Sequence, residues 1–210
     1  ACLGSVSQSD VSSLDGLLEA LKKRLDFFIS VGCRVTDHSL EDSFYLPASY
    51  ETANGLYQKR LTGVALSSEA AAMYRGFLLT ELGREYARRG LIMQLHIGAL
   101  RNNSSRMFEK MGADTGFDSL NDFNYAPQLS ALLNAMDSTD ELPKTILYYL
   151  NPKDVDMLAA MAGNYQGNST GIRGKIQLGS AWWFCDHKRG MERQMDALSD
   201  VGLISRFVGM

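Results

Sequence analysis

Apolar residues along this chain follow two periods that alternate, one of helices and one of short continuous runs. In the first helical segment, apolar residues recur every three or four positions and so share one helix face. They are Leu14, Leu17, Leu18, Leu21, Leu25 and Phe28. Ser12 or Ser13 supplies the N-terminal cap of this helix, and Gly32 stops it. The pattern therefore predicts an amphipathic helix at the start of the chain.

About five short apolar runs have the composition of buried strands. They are predicted at about 33–37, 91–96, 145–150, 175–180 and 204–210. Further helices are predicted from Ser67 or Ser68 to Gly90, and near 126–137, 153–162 and 188–200. Residues 39–66 have no clear period and predict a long excursion with a short helical piece. This alternation of strand and helix predicts an α/β protein with a parallel sheet, forming one domain over residues 1–210.

Two of the apolar runs end abruptly in polar and aromatic residues, in LIMQLHIGALRNN and in KIQLGSAWWFCDH. Such a run predicts a buried strand that delivers reactive groups into the loop after it, as in (β/α)₈ barrels of the TIM type. A closed barrel needs eight strands and about 250 residues. We therefore expect an incomplete barrel of about five strands with flanking helices. The final run breaks off as an unfinished edge, so we also expect the chain to be a fragment of an enzyme.

Composition excludes several partners. The chain has 210 residues, 45% hydrophobic, with a formal net charge of -3 and scattered basic residues, which argues against nucleic acid. No apolar run reaches the roughly 18 residues that cross a bilayer, and no secretory leader is recognisable. We therefore expect no membrane partner and a cytoplasmic location. The three cysteines show no metal-binding spacing.

His96 and Asp37 are the candidate catalytic residues. His96 closes a predicted strand and is followed by Gly, which is the barrel position for a group that faces a substrate; a core histidine is the alternative. Asp37 and His38 close the strand before it. Adjacent strand residues point to opposite faces, so only one of these two side chains can point directly into the site, and His38 stays open as the neighbour of Asp37.

Arg101, Asn102, Trp182 and Trp183 are the candidate substrate-binding residues. A guanidinium binds a carboxylate through two parallel hydrogen bonds, and amides bind hydroxyl groups. Indole rings offer a flat wall to the apolar face of a sugar. We expect one tryptophan to contact the substrate and the other to pack, without choosing between them. For Arg106 we expect a salt bridge that braces the loop, and for His187 a solvated polar turn.

Several motifs together resemble the uronate (glucuronate) isomerases of the amidohydrolase superfamily. They are TDH at 36–38, QLHIGALRNN at 94–103, DTGFDS at 114–119, DELPKT at 140–145 and GSAWWF at 179–184. The resemblance runs over essentially the whole chain and implies a (β/α)₈ barrel of which the chain supplies roughly strands four to eight. It also implies that Asp37 and Arg101 are site residues.

The resemblance implies interconversion of an aldose and a ketose hexuronate, such as glucuronate and fructuronate or galacturonate and tagaturonate. Proton transfer through an enediol is the implied route, and hydride transfer stays open. A divalent metal, zinc, is implied for the complete enzyme on a His-x-His pair and a late aspartate. This chain has neither, so we expect no metal in it. We expect a homo-oligomer.

Two other readings stay open. A metal-dependent hydrolase would use a second histidine at the end of the next strand, where the run at 145–151 carries tyrosines and Asn151 instead. The other reading is a catalytically incomplete fragment, and we expect the 210 residues alone to be inactive.

Overall fold

The computed structural model describes residues 2–166 and 174–207. The helices are α1 (Cys2–Ser7), α2 (Leu14–Ser30), α3 (Tyr50–Leu61), α4 (Ser68–Arg89), α5 (Ser105–Met111), α6 (Ala126–Asp137), α7 (Val155–Asn164) and α8 (Lys188–Val201). The strands are β1 (Val35–Leu40), β2 (Ile92–Ile97), β3 (Ala99–Leu100), β4 (Ser119–Leu120), β5 (Thr145–Tyr149) and β6 (Ile176–Leu178). Short 3-10 helices lie at Pro152–Asp154, Trp183–Cys185 and Ile204–Arg206.

The main sheet has the strand order β1-β2-β5-β6, and the β2-β5 and β5-β6 pairs are parallel. β3 and β4 form a separate antiparallel pair. All five residues of β5 are buried, as expected for a central strand covered on both faces. The predicted α/β class and parallel sheet are thereby confirmed.

The backbone divides into two compact units. The first comprises residues 1–36, 43–92 and 127–143, and the second comprises 37–42, 93–126 and 144–210. The predicted single domain stays a prediction. None of the described helices has the length and apolarity that a membrane crossing requires.

α2 and α4 begin at the serine caps that the sequence predicts for them. The hydroxyl of Ser13 accepts the Gly16 N–H at the start of α2, and the hydroxyl of Ser67 accepts the Ala70 N–H at the start of α4. Gly90 ends α4 with a φ of 66°, a left-handed conformation that glycine adopts at little cost. These local signals explain why both helices were predicted from sequence.

Three sequence predictions need correction. The apolar run predicted as a strand at 204–210 begins as a 3-10 helix over Ile204–Arg206, and 208–210 lie outside the described residues. The strand predicted at 33–37 begins and ends later in the structure, where β1 spans Val35–Leu40. Asp37 and His38 therefore lie within this strand rather than at its end. Four strands, not five, form the main sheet of the described chain.

Candidate functional site

Asp37 and His96 meet on adjacent strands of the main sheet. Asp37 Oδ1 lies 2.6 Å from His96 Nδ1. The histidine side chain is 19% exposed and the aspartate side chain 59% exposed, so the pair borders solvent without being fully in it. A carboxylate at Nδ1 orients the imidazole and leaves Nε2 as the nitrogen that can face a ligand.

His38 lies on the opposite face of β1 from Asp37, as strand alternation requires. Burial lowers the pKa of His38, and the charge of Asp37 partly opposes this shift. The neutral imidazole is thus favoured at His38, which is the behaviour of a packed histidine.

Two aromatic rings enclose the His96 imidazole. Tyr148 stacks on it with 4.2 Å between the ring centroids and an interplanar angle of 8°. Trp182 approaches edge-on, with 4.7 Å between the ring centroids. Tyr148 is the strand partner of His96 in the β2-β5 pair, which explains their alignment. Its hydroxyl accepts a hydrogen bond from Gln94 Nε2 at 3.0 Å. Burial and then the charge of Asp37 raise the pKa of Tyr148, so the phenol stays neutral.

Gly179 makes room for the Tyr148 ring. Gly179 directly follows β6, and its N–H donates to Leu147 O at 2.9 Å. A Cβ atom at this position would overlap Tyr148 Cδ1 and its neighbouring ring atoms. The absence of a side chain at Gly179 thus lets Tyr148 lie flat against His96.

Replacing Gly179 with Ala should therefore lower the free energy of unfolding by about 1–3 kcal/mol through overpacking. Gly55→Ala is the matched control, because Gly55 is in α3 and a Cβ there meets no described atom within 4 Å. Denaturant unfolding of both variants measures the difference. Equal stability of the two variants would show that the ring of Tyr148 is not confined.

Trp183 holds a strained backbone conformation beside this cluster. Its φ is 39°, which is rare for a bulky residue and persists only where the surroundings hold it. Trp183 stacks on Trp182 at 5.4 Å, and the Arg101 guanidinium lies 5.1 Å from the Trp183 ring centroid. The two tryptophans thus connect the His96 cluster to Arg101.

Arg101 is braced by two carboxylates. Its Nη1 donates to Asp118 Oδ2 at 3.0 Å and to Asp114 Oδ1 at 3.2 Å. Asp118 also accepts the Asn102 backbone N–H at 2.7 Å. This backbone hydrogen bond first, and then the Arg101 guanidinium, lower the pKa of Asp118. Asp118 therefore stays ionised and fixes the start of the loop that carries Arg101.

A crevice of about 450 Å³ opens between this loop and the aromatic turn. It is lined by Asp114, Gly116, Asp118, Trp183 and Phe184. Trp183 is 46% exposed, and half of its surface is thus available to a ligand. A flat aromatic wall beside carboxylates and a cation suits a polar, ring-shaped molecule.

Sequence reasoning missed three contributors to this site. Tyr148 was considered only as the residue that replaces a second histidine, although its place on β5 next to β2 put it against His96. Asp114 and Asp118 stood in the quoted motif at 114–119 but were given no role. An acidic motif shortly after a strand-end arginine was the available signal.

Of the two residues left outside the predicted site, His187 has a local role. His187 caps α8, and its Nδ1 accepts the Gly190 N–H at 3.2 Å. Arg106 lies exposed in α5. The sequence-based roles of Asp37, His96, Arg101, Asn102 and both tryptophans remain predictions that geometry alone does not test.

The described side chains do not form a metal centre by themselves. No group of three His, Cys, Asp or Glu side chains converges in residues 2–166 and 174–207. Asp37 engages His96 Nδ1, so this pair offers one imidazole nitrogen to a cation. One nitrogen does not fit the three or four ligands that a zinc site takes from a protein.

The chain is similar in sequence to known isomerases. The sequence profile of glucuronate isomerase matches residues 1–210. Uronate isomerases of Clostridium perfringens and Photorhabdus laumondii are each 53% identical to this chain, over 208 and 209 residues respectively. Each alignment covers 99% of this chain and 44% of the relative. The chain thus spans less than half the length of the curated relatives it matches.

Solved structures agree with this assignment. The uronate isomerase of Thermotoga maritima matches with a TM-score of 0.87 and 30% identity, over 99% of this chain and 44% of that one. The glucuronate isomerase of Caulobacter crescentus matches with a TM-score of 0.81 and 28% identity, over 95% and 40%. The parallel sheet and its strand-borne site define the chain as an α/β protein of the TIM-barrel type, with an incomplete barrel. Within this class, the chain belongs to the glucuronate isomerase family. The resemblance seen in the sequence is confirmed.

Proposed function

We propose that the complete protein isomerises hexuronates, converting glucuronate to fructuronate and galacturonate to tagaturonate. Membership of the glucuronate isomerase family supports this proposal. The observation that carries it is the contact between Asp37 and His96, because an imidazole oriented by a carboxylate is suited to moving a proton. The hydrolase alternative is less well supported, since Tyr148 and not a histidine lies opposite His96 on the next strand.

The isomerisation moves one hydrogen from C2 to C1 of the sugar and one proton from O2 to O1. In our proposal, His96 Nε2 removes the C2 proton, an enediol forms, and the proton returns at C1. Asp37 keeps the proton of the imidazole on Nδ1, so that Nε2 is the basic nitrogen at the start of the cycle. The histidine is regenerated at the end, and no external oxidant or reductant is consumed.

Arg101 and Asn102 are proposed to bind the carboxylate and the hydroxyl groups of the substrate. The Arg101 side chain is 30% exposed, so part of its guanidinium can receive a ligand. Trp183 is proposed as the wall against the sugar ring because it lines the crevice. Trp182 then packs against His96, in agreement with its edge-on contact.

The family is metal-dependent in general. We propose zinc as the metal of the complete protein, where it would polarise the substrate carbonyl. We also propose that the complete protein is a cytoplasmic homo-oligomer and binds neither nucleic acid nor a membrane.

Isomerisation in deuterium oxide tests the proton route. The protein expressed from its complete reading frame should convert glucuronate to fructuronate, and deuterium from the solvent should appear at C1 of the ketose. The reason is that a proton held on His96 can exchange with solvent before it returns to carbon. Mass spectrometry and NMR of the product measure the label.

A matched reaction in ordinary water provides the baseline for this label. Turnover without any deuterium at C1 would favour hydride transfer and contradict the role given to His96. The absence of turnover with either hexuronate would contradict the proposed function itself.

A further inference from the structure

Two carboxylates contact the Arg101 guanidinium, so the negative charge around it exceeds its own positive charge. Its Nη1 contacts both Asp114 and Asp118, so one positive charge faces two negative charges. A ligand carboxylate that approaches Arg101 therefore enters a cluster with a net charge of about minus one, which weakens its attraction. The two aspartates differ in exposure and in their other hydrogen-bond partners.

Asp118 is the permanent partner. Its side chain is 8% exposed, and it accepts hydrogen bonds from both Arg101 and the Asn102 backbone. Moving this carboxylate would leave a backbone N–H and a buried charge without partners, which is costly. Asp118 is therefore expected to keep its place when a ligand binds.

Asp114 is the exchangeable partner. Its side chain is 77% exposed, and Arg101 is its one hydrogen-bond partner in the described chain. An exposed ion pair of this kind contributes little stability, so a competing carboxylate can replace it. Asp114 also lines the crevice with Trp183, which places it where a ligand would enter.

We propose that Asp114 is an internal competitor of the hexuronate carboxylate for Arg101. In the free protein Asp114 pairs with the guanidinium, and the substrate carboxylate takes its place on binding while Asp118 stays bound. Asp114 thereby sets the affinity for uronates without taking part in proton transfer. This inference rests on the proposed role of Arg101 as the carboxylate clamp.

Asp114→Asn tests the competition with little disturbance of the backbone. Asp114 has a φ of 57°, and asparagine adopts this left-handed conformation as readily as aspartate. The variant should lower the KM for glucuronate by about twofold to fivefold at low ionic strength, with kcat nearly unchanged. The gain should shrink at high salt, because salt screens the charge that was removed.

Glu109→Gln is the matched control. Glu109 lies exposed in α5, close to Asp114 along the chain, and makes no ion pair with Arg101. Its KM should equal that of the wild type. Equal decreases in KM for both variants would reduce the effect to overall charge and overturn the competition.

An unchanged or raised KM in Asp114→Asn, in a protein whose wild type turns over glucuronate, would overturn this inference alone. A wild type that turns over neither hexuronate would overturn the proposed function instead. A neutral hexose provides a second measurement, since its binding should not respond to Asp114→Asn if the two carboxylates compete.

Discussion

Replacing His96 with Asn should lower kcat for glucuronate by about two to four orders of magnitude, the usual contribution of a general base. Asparagine can still contact Asp37, but it has no counterpart of the imidazole Nε2 that our proposal assigns to the C2 proton. The aromatic rings of Tyr148 and Trp182 should keep the strand ends in place. Steady-state kinetics and thermal unfolding of the same sample measure the two effects.

His38→Asn is the control for this variant. His38 lies on β1, on the opposite strand face from Asp37, and burial lowers its pKa. We expect His38→Asn to lower the unfolding temperature while the folded protein keeps its kcat. A His96→Asn protein that loses stability but stays fully active when folded would identify His96 as a core residue instead.

Helices with strong local signals could be predicted from sequence. The cap at Ser67 and the left-handed Gly90 bound α4 in the structure as they do in the sequence. α6 likewise spans Ala126–Asp137, as predicted. These elements were predictable because a hydroxyl, a glycine and an apolar face are all local features.

Short elements in residues 99–120 could not be predicted in this way. α5 has seven residues and no buried side chain, so its apolar residues Met107, Phe108 and Met111 span too few turns to set the bounds of a helix. The β3-β4 pair has two residues in each strand, and its pairing joins positions about twenty residues apart. The strand predicted at 204–210 failed for the opposite reason, because an apolar run of this length fits several local structures.

The candidate site shows the same division between local and distant information. The sequence placed His96 at a strand end and Trp182 after another strand. It could not show that Asp37 would contact His96, because 59 positions separate them and only the order of strands brings them together. The strained backbone of Trp183 occurs where its ring stacks on Trp182 and contacts Arg101. No single residue type in the sequence predicts this conformation.

Replacing Arg101 with Met should lower kcat/KM for glucuronate by about one to two orders of magnitude. The loss of a charge-assisted hydrogen bond costs about 1.5–3 kcal/mol, which corresponds to that factor. Methionine keeps much of the apolar stem of arginine but cannot bind a carboxylate. Initial rates over a range of glucuronate concentrations, with thermal unfolding of the same preparation, provide the measurement.

Arg106→Met removes the same charge from α5, close to Arg101 along the chain, and should leave kcat/KM unchanged. Arg101→Met alone also leaves the buried Asp118 without its cation. The double variant Arg101→Met with Asp118→Asn removes that unpaired charge, so it should recover thermal stability without recovering activity. If the double variant recovered both thermal stability and activity, the role of Arg101 would be to hold its loop in place. If it were stable but still inactive, the role of Arg101 would be to bind the substrate carboxylate.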